Sequence, residues 1–175
     1  MEGFSELSRL LSLLKDLELD IQELNSLAEY FEKDEAFLRS ISKEDPYVAD
    51  TMVRGIGQRL HQYYHTFERA VEKVLAFTGE LPVDDRSYHS QLLRKASFEL
   101  DGIRPALISR EAFEIIDELR RYRHAFRNLY RSSVKPDRLL KLVSDLRRNH
   151  SLVVSGLLRA ISFYRSIIGG SHEIS

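Results

Sequence analysis

The chain has no cysteine and no tryptophan among its 175 residues, and only four prolines. Without cysteine there is no disulfide, zinc-thiolate site, iron-sulfur cluster or thiol nucleophile, so the fold must hold by packing alone. No run of about 18 apolar residues suggests a membrane span. The first residues, Met-Glu-Gly-Phe-Ser-Glu, are acidic where a signal peptide would be basic, so a cytoplasmic protein is expected. Absent too are a phosphate-binding loop and a serine in a nucleophile elbow. Gly55-Ile56-Gly57 follows helical rather than strand periodicity, so it reads as close helix packing or a local kink, not a dinucleotide fingerprint.

What is present is helical periodicity. Leu7, Leu10, Leu14, Leu17, Ile21, Leu24, Ala28 and Phe31 keep a 3,4 spacing, the seam of one long helix. Val53, Ile56, Leu60, Tyr63, Phe67, Ala70, Val74 and Phe77 predict a second helix from Pro46 to Thr78, stopped by Gly79. A shorter helix is predicted over 85–100, followed by a connector in which Gly102 and Pro105 oppose helix continuation. Ser109 is placed to cap the next helix, which ends near Arg131, and a last long helix runs from about Pro136 to Gly169-Gly170. With no strand-like alternation, the expectation is an all-α, up-and-down bundle of four long helices and one short one. One domain should span 1–168, with a disordered tail at 169–175.

A net charge of −1 hides a strong asymmetry. Residues 1–50 carry 13 acidic and 5 basic side chains, a balance of −8, whereas 104–148 carry 12 basic and 6 acidic, a balance of +6. Positive charge concentrates in 120–131, Arg-Arg-Tyr-Arg-His-Ala-Phe-Arg-Asn-Leu-Tyr-Arg. At about 100° per residue, Ile115, Leu119, Tyr122, Phe126 and Leu129 fall in one arc of roughly 80°. Arg120, Arg123, His124, Arg127 and Arg131 fall in an opposite arc of roughly 100°. Like charges at i, i+3 and i+4 weaken a helix by about a few tenths of a kcal/mol per pair, so something outside it should compensate. The guanidiniums interleave with Tyr122, His124, Asn128 and Tyr130, a mixture suited to phosphate and base contact with RNA. The alternative is that the ladder pairs with the acidic first helix of the same or a neighbouring subunit.

His61, His65 and Glu68, with Glu72 beyond, share a helical face on which a two-histidine, one-carboxylate metal site is geometrically possible. Histidines flanking Tyr63 and Tyr64 more often cap a core edge with hydrogen bonds, so no metal and no cofactor are expected. His150 and His172 have no sequence neighbours that suggest a site.

The stretch from Arg123 to Tyr130 resembles the motif of the HEPN superfamily, specifically the HepT-like ribonuclease toxins. So do 61–68, the Leu81-Pro82 turn with 88–93, and Gly102-Ile103-Arg104-Pro105-Ala106-Leu107-Ile108-Ser109. Together these cover roughly 45–145. The family motif is an arginine with a polar neighbour, a histidine four to six positions on, and a tyrosine two residues later. Arg123, His124 and Tyr130 match it, and Asn128 stands at the histidine position.

The resemblance implies a dimeric helical bundle that cleaves RNA, transfer RNA among the candidates, without metal. Arg123 would steady the phosphate, with Arg120, Arg127 and Arg131 as further phosphate contacts. Asparagine cannot exchange a proton near neutral pH, so roughly 10²- to 10⁴-fold of acid-base help is missing at Asn128 unless His124 supplies the imidazole. The implied partner is a minimal nucleotidyltransferase antitoxin that adds AMP to Tyr130. A non-catalytic HEPN module that binds RNA, a nucleotide or that partner is the alternative.

Overall fold

In the computed structural model, the described residues are 2–83, 86–127 and 135–170, less the side chains of 2–4 and 123–127. They form α1 (Glu2–Ala28), α2 (Phe31–Ser40), a 3₁₀ turn at Ile41–Lys43, α3 (Pro46–Phe77), α4 (Tyr88–Ala96), α5 (Arg110–Arg127) and α6 (Pro136–Gly170). The protein is an all-α bundle, with no strand among the described residues and one isolated bridge between Leu100 and Arg104.

Local chemistry fixes the helix ends. Pro46 opens α3, where its missing N–H costs nothing, and the Asp45 carboxylate accepts from the Tyr47 and Val48 amides at 2.8 and 3.4 Å. Gly79, at φ +74°, closes it. The Glu80 amide reaches back to the Leu75 carbonyl at 2.7 Å and the Gly79 amide to that of Ala76 at 3.2 Å, satisfying two terminal carbonyls. Ser109 caps α5 as expected, its Oγ accepting from the Ala112 amide at 3.2 Å.

The first helix ends sooner than its leucine seam. At Glu29-Tyr30 the chain turns, and Phe31 enters the core 5.4 Å from the Tyr63 ring, beginning the separate short helix α2. Neither proline nor glycine marks this break; tertiary packing of Phe31 makes it.

Cross-helix contacts set the directions. Asp20 and Glu23 of α1 meet Arg69 of α3, so these helices are antiparallel, with Leu10 near Phe77. Tyr63 meets His150 and Phe77 meets Tyr164, so α3 and α6 run parallel. Glu118 of α5 meets Lys141 of α6, and Tyr122 meets Arg138, an antiparallel pair. α1 and α5 each pack on both α3 and α6 and lie diagonally. Their shared core runs from Leu14, Leu17 and Leu24 through Leu60, Phe67 and Val74 to Leu119, Leu146 and Leu157.

α6 is long and apolar enough to cross a membrane by length and composition, but Leu139, Leu142, Leu146, Val153, Leu157 and Ile161 form its core-facing side. A Cβ at Gly156 would lie 1.9 Å from the Leu107 carbonyl oxygen, so only glycine lets the connector's backbone rest on α6. Gly55 has open space around it and is no close-packing point.

Candidate nucleic-acid interface

α5 buries Ala112, Ile116, Leu119 and Tyr122, leaving Ile115 partly covered. The apolar face is therefore centred slightly off the expected stripe. Tyr122 lies under Arg138, whose guanidinium carbon is 4.4 Å from the ring centroid. Burial raises the Tyr122 phenol, against the opposing pull of Arg138.

Arg120, the first rung of the arginine ladder, and its neighbour Arg121 share a partner on their own helix. Asp117 accepts from Arg120 Nε at 2.7 Å and from Arg121 Nη2 at 2.6 Å. For Arg120 this corrects the expectation that relief of the like-charge repulsion must come from outside the helix. Arg121 is nonetheless 68% exposed, against 26% for Arg120. The helix backbone continues through Arg127. The side chains of Arg123, His124 and Arg127, and all of Asn128, Tyr130 and Arg131, lie outside the described residues.

Pairing of the ladder with the acidic first helix of the same chain is not what the described residues form. Asp20 accepts from Arg69 at 2.7 Å and Lys73 at 2.8 Å, and Glu23 from Arg69 at 2.7 Å. Glu18 meets Arg165 at 2.5 Å and Asp34 meets Arg59 at 2.8 Å. Glu35 meets Arg39 and Arg147, each at 2.6 Å, and these two guanidiniums hold its carboxyl down to about 2. Glu18, Asp20, Glu23, Asp34 and Glu35 of the acidic N-terminal segment thus pair with α3 or α6.

The His61, His65, Glu68 metal set does not assemble. His65 is exposed, while the buried Glu68 carboxylate accepts from Tyr64 Oη at 2.8 Å and is hydrogen-bonded to His89 Nδ1. Among the described residues no group of three histidine or acidic side chains is placed to hold a metal. Neighbouring Glu72 accepts from Tyr88 at 2.8 Å, so this face of α3 is a hydrogen-bonded seam against α4.

Two groups escaped sequence reasoning. His150 does have neighbours: its Nδ1 lies 2.9 Å from Tyr63 Oη and its Nε2 2.8 Å from Asn25 Oδ1, joining α6 to α3 and α1. Burial lowers its pKa, favouring the neutral ring. Arg104 is 1% exposed. Its Nε and Nη2 donate to Glu80 at 2.6 and 2.8 Å, its Nη1 to the Phe98 carbonyl at 2.7 Å, and its Nη2 also to that of Lys95 at 2.9 Å. The only sequence signal was the Arg-Pro pair of the connector.

A family model described as HepT-like protein matches residues 55–164. Neither a curated protein nor a solved structure matches the chain. The matched span is more than half of the chain and runs from the third turn of α3 through α4, the Arg104 connector, α5 and the 123–130 stretch into α6, leaving α1 and α2 outside. The chain therefore belongs to the HepT-like family.

Proposed function

We propose that this HepT-like protein is a metal-independent endoribonuclease acting as the toxin of a cytoplasmic toxin-antitoxin pair. Its antitoxin is a minimal nucleotidyltransferase that transfers AMP to Tyr130. The observation that carries the reading is the family match across α5 and the motif stretch, joined to the engagement of the acidic N-terminal residues with α3 and α6. These acidic residues have partners other than α5, which supports a phosphate-bearing partner for its basic face.

In this reading Arg123 stabilises the charge that builds on the scissile phosphate, while Arg120, Arg127 and Arg131 fix the strand through neighbouring phosphates. His124 supplies the imidazole, and Asn128 holds the ribose 2′-hydroxyl by hydrogen bonding without exchanging its proton. Two copies meeting through α5 would double the guanidiniums around one phosphate. AMP on Tyr130 would place a phosphate among those arginines and compete with RNA.

The test is digestion of total transfer RNA in EDTA by wild type and Arg123→Ala at matched concentration and low salt. Cleavage by the wild type alone supports the reading. Absence of cleavage by both, with RNA binding that weakens steeply as salt rises, replaces it with the non-catalytic binding module, which Asn128 favours. Asn128→His separates the two further: a degenerate enzyme gains turnover, whereas a site built on His124 gains little.

A further inference from the structure

Five of the six lysine and arginine side chains of α6 are tied down. Lys141 pairs with Glu118 and Asp145, Arg147 with Glu35, Arg148 with Asp145 and Arg165 with Glu18. Arg159 donates to Ser155 Oγ at 3.3 Å and to the Ala106 carbonyl at 3.4 Å. Arg138 is the exception. It is exposed, and among the described residues its N–H groups have no hydrogen-bond acceptor and its charge no carboxylate partner. The contact that holds it is the Tyr122 ring, whose centroid lies 4.4 Å from the guanidinium carbon. That ring is 3% exposed and fixed in the core, so the guanidinium is positioned while its donors stay unclaimed.

Helix stability does not account for the placement. Arg138 lies in the first turn of α6, where the helix end is positive and a cation is unfavourable. Asp137 is about 100° away around the helix. The acids of the adjoining part of α5 are engaged, Asp117 by Arg120 and Arg121 and Glu118 by Lys141. What Arg138 does adjoin is the motif, because Tyr122 directly precedes Arg123. A cation already seated on a rigid ring has less freedom to lose when an anion arrives, and the arginine fork matches phosphate oxygens. We propose that Arg138 binds a backbone phosphate of RNA, with Tyr122 as the platform that positions it. The inference rests on the RNA-directed reading above and adds to it a contact from α6, outside the 120–131 run.

The probe is a fluorescein-labelled single-stranded RNA of about 12 nucleotides, 2′-O-methylated so that it is not cut through the 2′-hydroxyl. Its anisotropy is followed with the full chain from about 50 to 300 mM salt. Arg138→Met keeps an unbranched stem over Tyr122 and removes the charge. It should bind about tenfold more weakly at low salt, and the slope of log affinity against log salt should shrink by about 0.7, one phosphate's share on a single strand. Arg138→Lys should keep the slope and lose about threefold in affinity, because an ammonium lacks the fork. Arg165→Met removes a guanidinium of 62% exposure at the far end of α6 and should match the wild type in both respects. The slope does not depend on the fraction of protein that is folded, so a partly unfolded variant does not mimic the result. Salt-sensitive binding by the wild type that is unchanged in Arg138→Met, or reduced equally in Arg165→Met, overturns the assignment of Arg138 and leaves the RNA reading standing. A wild type that binds no RNA overturns both.

Discussion

The connector around Arg104 and the outer face of α5 place the same side chain in opposite settings. Arg104 is sealed in the fold, its guanidinium divided between the Glu80 carboxylate and the carbonyls of Phe98 and Lys95. Arg121 shares one carboxylate, Asp117, with Arg120 and extends into solvent. A planar fork with five donors suits both tasks, closing a loop or gripping a phosphate. Burial and the number of fixed acceptors separate the sealed strut from the exposed side chain.

The sharpest way to break this comparison is Arg104→Leu, which strands Glu80 and two carbonyls inside the connector. A loss of about 3–5 kcal/mol is expected in urea unfolding. Gly156→Ala comes next, because the added methyl meets the Leu107 backbone rather than a side chain that can turn away. The better helix propensity of alanine offsets only part of this, leaving about 1–3 kcal/mol of destabilisation by the same assay.

Acid should act first at His150 and then at Glu35. A histidine whose pKa is lowered by folding contributes fully above its ordinary value of 6.5 and loses that contribution as pH falls toward the folded value. Glu35, held near 2, contributes above its ordinary 4.5 and loses that contribution as pH falls from there toward about 2. Urea midpoints measured from pH 8 to pH 3 should fall in these two stages, the second larger because two guanidiniums hold Glu35. The smallest effect on stability belongs to Arg121→Ala, within about 0.5 kcal/mol. If Arg121 meets a phosphate, the slope of log affinity for RNA against log salt should shrink by about one.

These contrasts also mark what could be read from the sequence. Pro46, Gly79 and Ser109 announced helix ends because each acts through its own backbone or the next turn. The turn at Glu29-Tyr30 was not legible, since it is made by helix-compatible residues and forced by Phe31 packing on Tyr63. Arg104 was named in the connector without its burial, because its acceptors come together only when the chain turns through Gly102, at φ +71°. His150 looked idle because Tyr63 and Asn25 are 87 and 125 residues away. At the candidate interface, composition and angular spacing revealed the charged face and roughly its apolar reverse. They missed Asp117, which lies one turn before the run of arginines.

Tyr63 with His150 and Phe77 with Tyr164 are two rungs between α3 and α6, each joining residues 87 apart in sequence. Fourteen residues, about 21 Å of helix, separate the rungs, so sliding either helix by one residue would break both. Two parallel rods pinned at two levels behave as one beam. Turning or sliding α6 against α3 is therefore resisted at both levels at once.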